Sequence, residues 1–319
     1  EHVPGQAIAA HTKSNGVRVM PLAVSTPLGP LQGALTVPAG EGPFPAVVLV
    51  QGSGSSDMDE TIGPNKPFSD IADGLAQAGI ASLRYNKRGF VYAKQMAGNK
   101  AFSVDDEVTY DVLSALHLLA KQPSVDPQRL FVLGLSEGGL LVPRIMQRDP
   151  QLAGGIMLAA PARPLLQVAA EQVRDQGAKS GMSKTQIDKQ LKAIADQRVL
   201  LDKADPQHPP AGKFGGVQQS WWLSLHDYHQ LEVAKSLRRP LLLLQGDSDF
   251  QVSPSKDFEV WKRALADKSN ATFHLYPGLG HLFSRAGKTG TVADYLEQRP
   301  TTPKVIADIG AWIKAQARL

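Results

Sequence analysis

The residues of this sequence that could do chemistry begin with a serine between glycines, in the run Gly134-Leu135-Ser136-Glu137-Gly138. This GxSxG spacing is typical of a nucleophile elbow, a sharp strand-to-helix turn in which larger side chains two residues before or after the serine would collide with backbone. The turn also leaves the amide of Glu137 at a helix N-terminus, where it can face a developing oxyanion. Residues 129–133 and 140–148 read as the strand and the helix that such a turn joins. We therefore predict Ser136 as a nucleophile, with an ordinary turn and a helix-capping serine as the alternative.

A serine hydroxyl needs a base that removes its proton and a third group that orients the base. Candidates for both follow two later apolar runs: Asp249 comes soon after residues 241–245, and His281 soon after residues 271–276. Asp247 is an alternative carboxylate, but a side chain there can equally bond nearby backbone in a turn. The chain order Ser136, Asp249, His281 predicts a catalytic triad, whereas a turn histidine is the alternative for His281.

A second oxyanion donor is predicted in the loop that follows the apolar residues 46–50. Gly52-Ser53-Gly54 lets backbone approach a substrate closely, so the amide of Ser53 is the first choice and that of Gly54 the second. A plain strand-to-loop turn is the alternative. The glycines do not indicate a nucleotide site, because neither GK[ST] nor GxGxxG follows that strand.

Strand-like and helix-like runs alternate along residues 21–160 and again along 241–319. This alternation predicts an α/β fold with a mostly parallel central sheet and helices on both faces, in which ligands lie outside the carboxyl ends of the strands. Residues 1–20 predict an irregular N-terminal arm, and residues 21–38 an antiparallel edge hairpin. Residues 161–240 break the rhythm and predict a helical cap insertion over the site.

Four further residues are expected near substrate. Arg88 lies in a strand-end loop and is expected to brace Glu137 or an acidic stretch near the site, with a solvated arginine as the alternative. Trp221, Trp222 and Tyr228 in the insertion are expected to line an acyl or alcohol pocket. Plain packing of the insertion onto the core is their alternative.

The composition argues against several classes of protein. The chain has 34 basic and 30 acidic residues, a formal charge of +4 that is spread along the sequence, so it does not indicate nucleic acid or an anionic membrane as partner. No apolar stretch approaches the roughly 18 to 20 residues of a membrane span, and we expect a soluble protein.

The absence of cysteine rules out disulfides and thiolate sites, and the eight histidines show no metal-binding spacing, so no metal or other cofactor is expected. The first residue is Glu1 and not methionine, which leaves a cytoplasmic and a secreted or periplasmic location open. The sequence does not indicate an oligomeric state.

These motifs resemble those of the α/β-hydrolase superfamily and, within it, the EstD-type bacterial serine carboxylesterases, beside the dienelactone-hydrolase-like and prolyl-oligopeptidase-like groups. The resemblance covers most of residues 31–319 and implies a Ser/His/Asp triad that acts on carboxylic esters. The helical insertion at residues 161–240 predicts an enclosed pocket and therefore favours small acyl groups. Gln51 departs from the pattern, because many relatives carry histidine there. A prolyl-oligopeptidase-like serine peptidase with the same triad and a non-catalytic binding protein on the same fold are the alternatives. The resemblance rests on the segments 51–54, 84–89, 134–139, 246–249 with Val252, and 278–281.

Overall fold

In the computed structural model, which describes residues 3–316, a mostly parallel β-sheet runs through the centre of the chain. The strands are β1 (His11–Thr12), β2 (Arg18–Pro21), β3 (Val24–Thr26), β4 (Gly29–Leu31), β5 (Gly33–Val37), β6 (Phe44–Val50), β7 (Ala81–Tyr85), β8 (Val125–Leu135), β9 (Gly154–Leu158), β10 (Lys213–Phe214), β11 (Val217–Gln218), β12 (Leu241–Gly246) and β13 (Ala271–Tyr276). Within residues 3–316 the main sheet has nine strands in the order β1-β2-β5-β7-β6-β8-β9-β12-β13.

The direction of the strands divides this sheet into two parts. From β7 to β13 each strand is parallel to its neighbour, and β1, β2 and β5 add an antiparallel edge. Parallel strands need crossover connections, which the helices supply. The predicted fold class is confirmed, and the parallel direction brings the carboxyl ends of β6, β8, β12 and β13 to one edge.

The central strands are buried on both faces, which explains their continuous apolar sequence. In β6, Ala46, Val48 and Val50 contact one core cluster, whereas Val47 and Leu49 contact the other, so successive side chains alternate between the two faces. All five are at most 1% exposed. The sheet therefore separates two apolar cores.

Helices cover both faces of the sheet. The first core includes side chains of the helices Tyr110–Leu119 (α4) and Glu137–Arg148 (α5), and the second includes side chains of the helices Pro67–Gln77 (α1) and Pro303–Gln316 (α11). The helices are α1 (Pro67–Gln77), α2 (Arg88–Val91), α3 (Ala93–Ala97), α4 (Tyr110–Leu119), α5 (Glu137–Arg148), α6 (Leu165–Gln176), α7 (Lys184–Asp202), α8 (Gln219–His226), α9 (Gln230–Ser236), α10 (Glu259–Ala264) and α11 (Pro303–Gln316), with π-helical turns at Asp105–Thr109 and Pro254–Phe258 and a 3-10 turn at Val292–Leu296. No helix among the described residues is both long and apolar enough to cross a membrane.

The segment between β9 and β12, which we call the cap, contains α6 to α9 and the small β10–β11 hairpin. The hydroxyl of Ser183 accepts from the N–H of Gln186, whose side chain accepts in turn from the N–H of Ser183. This capping box starts α7, the longest helix of the cap.

The N-terminal edge differs from the sequence-based prediction. Residues 11–12 and 18–21 are not irregular, because β1 pairs with β2 and β2 pairs with β5. The edge hairpin is also shorter than expected: β3 pairs with β4, whereas β5 joins the main sheet between β2 and β7. Short edge strands owe their position to backbone hydrogen bonds more than to an apolar pattern, so the sequence signal is weak. Residues 1–2 of the predicted arm lie outside the described residues.

Candidate active site

Ser136 forms a sharp turn between β8 and α5. Its backbone has φ 56° and ψ −117°, in a region that residues other than glycine rarely adopt. A Cβ at Gly134 would lie 2.1 Å from the carbonyl oxygen of Gly138, and a Cβ at Gly138 would lie 2.3 Å from that of Val50. Glycine is therefore required at both flanking positions, as a nucleophile elbow demands.

Asp249 and His281 form a buried hydrogen-bonded pair in the loops that follow β12 and β13. Nδ1 of His281 lies 2.8 Å from Oδ2 of Asp249. The same carboxylate accepts from the backbone N–H groups of Gln251 at 2.8 Å and of Val252 at 2.9 Å, and from Nε2 of Gln245 at 2.9 Å. These donors hold the Asp249 carboxylate in one orientation against the imidazole.

This contact also selects the tautomer of His281. An ionised carboxylate only accepts hydrogen bonds, so Nδ1 carries the proton and the lone pair of Nε2 becomes the proton acceptor. Ser136 follows β8, which lies in the same parallel set as β12 and β13, so all three loops meet at the carboxyl edge of the sheet. Chemically, such a set can support attack by a serine hydroxyl that is assisted by an oriented base.

Asp247, the alternative carboxylate, has a different environment. It is exposed, and its Oδ1 accepts from the hydroxyl of Ser248 at 2.7 Å and from the N–H of Gly278 at 2.8 Å. Asp247 therefore links the loop after β12 to the loop after β13, and the carboxylate that contacts His281 belongs to Asp249.

The loop after β6, residues 51–55, lies against the serine turn. We call it the oxyanion loop. A Cβ placed on Gly52 would lie 3.4 Å from Cβ of Ser136. The hydroxyl of Ser53 donates to Oε2 of Glu137 at 2.9 Å, and Gly54 has φ 93°. The amide of Glu137 is the first of α5, where N–H groups lack intrahelical partners. The backbone of Ser53 or Gly54 and that of Glu137 thus flank the serine.

Gln51 occupies the position where the resemblance leads one to expect histidine. It is buried, and its Nε2 donates to the carbonyl oxygen of Tyr85 and, at 3.3 Å, to that of Asp57. The side-chain amide therefore attaches the start of the oxyanion loop to the end of β7. Gln51 supports the loop in its own way, without a histidine ring.

Sequence reasoning missed a buried ionic cluster directly under this loop. It contains Lys87, which is 3% exposed, and the carboxylates of Glu60, Glu107 and Glu137. Nζ of Lys87 lies 3.1 Å from Oε1 of Glu107 and 3.7 Å from Oε1 of Glu137. The available signal was the basic pair Lys87-Arg88, which begins two residues after the end of β7, since a charge at the carboxyl end of a buried strand faces the site.

Arg88 lies away from Glu137 and from the acidic stretch at 57–59. It is buried, and its guanidinium donates to both carboxylate oxygens of Asp111, with Nε at 2.9 Å from Oδ2. The sequence-based prediction that Arg88 braces Glu137 is wrong, because α2 begins at Arg88 and turns its side chain towards α4. Lys87, one residue earlier, takes that place.

A cavity of about 340 Å³ opens beside the oxyanion loop. Ser53, Gly54 and Glu137 line one side of it, and Trp221 and Trp222 of the cap line the other. The two indoles are nearly perpendicular, with ring centroids 4.9 Å apart. Both tryptophans thus line a cavity beside the oxyanion loop, and their contact with an acyl or alcohol group stays a prediction.

Tyr228 lines a second cavity, of about 450 Å³, between α5 and the cap. Its hydroxyl donates to the carbonyl oxygen of Leu140 at 3.0 Å and accepts from the N–H of Arg144 at 3.2 Å. These bonds fasten the cap to α5. Trp222 also lines this cavity, so its indole lies in the wall between the two spaces.

Within residues 3–316, no group of three or more histidine, aspartate or glutamate side chains is arranged to hold a metal ion.

A mostly parallel sheet with helices on both faces, a glycine-flanked serine turn and an Asp–His pair at its carboxyl edge define the α/β-hydrolase fold. Solved structures agree. Est1E from Butyrivibrio proteoclasticus has a TM-score of 0.59 at 15% identity, over 94% of this chain and 99% of its own. An esterase from Pyrococcus furiosus has a TM-score of 0.59 at 15% identity, over 98% and 97%.

Residues 64–285 match the family described as serine aminopeptidase, S33, and the chain belongs to this family. A curated relative is esterase EstD from Thermotoga maritima, which is 36% identical over 287 residues. That alignment covers 89% of this chain and 65% of the relative, so this chain spans somewhat less than two thirds of its length.

Proposed function

We propose that the protein is a serine esterase that hydrolyses carboxylic esters with small acyl groups through an acyl-enzyme. The observation that carries this proposal is the buried Asp249–His281 hydrogen bond at the same sheet edge as the strained turn of Ser136. The similarity to a relative named as an esterase supports the same chemistry.

In the first half-reaction, Oγ of Ser136 attacks the acyl carbonyl while Nε2 of His281 takes its proton. The negative charge on the carbonyl oxygen is held by the amides of Glu137 and Ser53. The tetrahedral adduct then collapses, the bond to the alcohol oxygen breaks, and His281 returns the proton to that oxygen. Asp249 keeps the ring oriented and stabilises its transient positive charge.

In the second half-reaction, water takes the place of the alcohol. His281 removes a proton from the water, and the resulting hydroxide adds to the acyl carbon. The second adduct collapses, the bond between the acyl carbon and Oγ of Ser136 breaks, and His281 returns the proton to Oγ, which releases the carboxylic acid. The cavity of about 340 Å³ between the oxyanion loop and the cap tryptophans is our proposed acyl site. A space of this volume favours small acyl groups, so turnover should decrease from butyrate to palmitate esters.

The direct test replaces Ser136 by alanine and measures hydrolysis of p-nitrophenyl butyrate. Turnover should fall about a million-fold, as loss of the nucleophile does in serine proteases. Ser114→Ala is a matched control, because Ser114 is exposed on α4 and should leave turnover unchanged. Activity of Ser136→Ala close to that of the control would exclude the mechanism.

A serine aminopeptidase is the second candidate, because the matched family carries that description. An aminopeptidase must bind a substrate ammonium, and Glu107 and Glu137 line the cavity beside the oxyanion loop. The ammonium of Lys87 already lies between these two carboxylates, which argues for the esterase. Comparing hydrolysis of alanine p-nitroanilide with that of p-nitrophenyl butyrate separates the two: faster cleavage of the anilide would favour the peptidase.

A further inference from the structure

The ammonium of Lys87 is fixed beneath the oxyanion loop by three contacts, one hydrogen bond and two ion pairs. Nζ donates to the carbonyl oxygen of Gly52 at 2.8 Å, and it lies 3.1 Å from Glu107 and 3.7 Å from Glu137. The side chain is only 3% exposed, as is that of Glu137. A buried ammonium is costly unless charged and polar partners surround it, so these contacts fix its position closely.

The surrounding carboxylates keep Lys87 charged. Burial alone would lower the pKa of Lys87, but Glu107, Glu137 and Glu60 more than offset this effect, and the pKa is raised. Burial raises the pKa of Glu137, although the charge of Lys87 opposes that shift. The cluster therefore has one cation that interacts with three acids, and removing the cation would disturb all of them.

Two consecutive residues of the oxyanion loop, Gly52 and Ser53, bond to this cluster. The carbonyl of Gly52 accepts from Lys87, and the N–H of Gly52 donates to Oε1 of Glu60 at 3.3 Å. The next residue, Ser53, donates its hydroxyl to Glu137 at 2.9 Å. Gly52 precedes the proposed Ser53 donor, and both its N–H and its carbonyl group are held by hydrogen bonds. A small rotation of this peptide would move the donor away from the oxyanion.

The cluster also contacts the cap. Oε2 of Glu107 accepts from Nε1 of Trp221 at 2.6 Å, and Oε1 of the same carboxylate pairs with Lys87. Trp221 is 5% exposed and lies on α8. A single carboxylate therefore joins the tryptophan that lines the proposed acyl site to the cation that holds the oxyanion loop.

We propose that Lys87 is a positioning residue: it sets the orientation of the Gly52–Ser53 peptide for oxyanion binding, and through Glu107 it couples that peptide to Trp221 of the cap. This inference rests on the proposed esterase function. Lys87 does not touch the reacting atoms, so its effect should appear in the transition state. Loss of one oxyanion donor lowers kcat by about 100- to 1,000-fold, and a displacement of about 1 Å costs about 100-fold.

The test is Lys87→Met, which keeps an unbranched side chain, one atom shorter than that of lysine, and removes its charge. Active sites are first titrated with a fluorophosphonate, and kcat and KM for p-nitrophenyl butyrate are then expressed per labelled site. We expect kcat to fall about 100-fold with KM within twofold of wild type. Lys121→Met, at an exposed lysine, is the matched control and should leave both constants unchanged.

Titration separates positioning from mere structural support. A purely structural role would lower the fraction of labelled protein and leave kcat per labelled site within twofold of wild type, and that result would overturn the inference. If Lys87→Met does not fold, Glu107→Gln decides: it keeps an acceptor for Trp221 and weakens the pairing with Lys87, so kcat should fall at least threefold. An unchanged kcat in that variant also overturns the inference. Absence of labelling and turnover in the wild type would instead reject the esterase proposal itself.

Discussion

Replacing Asp249 by asparagine should disable the site through a change of tautomer. Oδ1 of Asp249 accepts from the N–H groups of Gln251 and Val252, so the oxygen of an asparagine will occupy that position. Its NH₂ group must then occupy the position of Oδ2, 2.8 Å from Nδ1 of His281. Facing a donor, Nδ1 loses its proton, the neutral ring carries the proton on Nε2, and the base can no longer accept from Ser136.

The size of the effect follows from the same geometry. A change of tautomer of this kind lowers kcat about 10,000-fold in the serine protease triad, which corresponds to about 5.5 kcal/mol at roughly 1.36 kcal/mol for each factor of ten. The new NH₂ group also meets Nε2 of Gln245, which donates to Oδ2 at 2.9 Å in the wild type. Two donors in contact should lower the free energy of unfolding by about 1 to 3 kcal/mol.

Asp247→Asn is the matched control for this prediction. The side chain lies two residues away and is exposed, and its Oδ1 accepts bonds that an amide oxygen can also accept. Initial rates of p-nitrophenyl butyrate hydrolysis per titrated site should stay within about twofold of wild type in this variant. The reasoning is refuted if Asp249→Asn keeps more than about a hundredth of the activity, or if Asp247→Asn shows the larger loss.

Three further predictions concern the surroundings of the site. Gly134→Ala places a Cβ 2.1 Å from the Gly138 carbonyl oxygen, so urea unfolding should show a loss of about 3 kcal/mol or more, and wild-type stability would contradict the described turn. Burial raises the pKa of Glu60 from 4.5 to about 7, so its ionisation destabilises the fold as the pH rises between those values. The free energy of unfolding of Glu60→Gln, relative to that of the wild type, should therefore increase by about 3 kcal/mol from pH 4 to pH 8. A difference that stays constant with pH would be inconsistent with the raised pKa. Arg88→Met leaves the buried Asp111 without its ion-pair partner Arg88, so the free energy of unfolding should fall by about 3 to 5 kcal/mol while kcat per titrated site stays unchanged. A selective rise in KM would instead indicate that Arg88 contacts the substrate.

The sequence predicted the parts of this molecule that local chemistry dictates. The buried strands appear as continuous apolar runs, and the turn at Ser136 is recognisable because only glycine fits at positions 134 and 138. The pairing of Asp249 with His281 could be expected because both follow parallel strands, whose carboxyl ends share one edge of the sheet.

The features that the sequence did not predict depend on contacts between segments that are distant along the chain. Lys87 and Arg88 are adjacent basic residues, and which of them faces Glu137 is decided by the start of α2, a detail that composition does not contain. Glu60 and Glu107 resemble solvated acids in the sequence. The burial of Glu60 and the contact of Glu107 with Trp221 follow only from the packing of the oxyanion loop and the cap. The edge strands β1 and β2 were missed because backbone pairing, with little apolar burial, defines them.

The central claim is that Ser136, His281 and the backbone amides of Glu137 and Ser53 act on one carbonyl group. A crystal structure of the protein after reaction with a short-chain alkyl fluorophosphonate tests it most directly. We predict phosphorus bonded to Oγ of Ser136, Nε2 of His281 within hydrogen-bond distance of that oxygen, and the phosphonyl oxygen bound by the amides of Glu137 and Ser53. An adduct on another residue, or a phosphonyl oxygen that points away from both amides, would contradict the account.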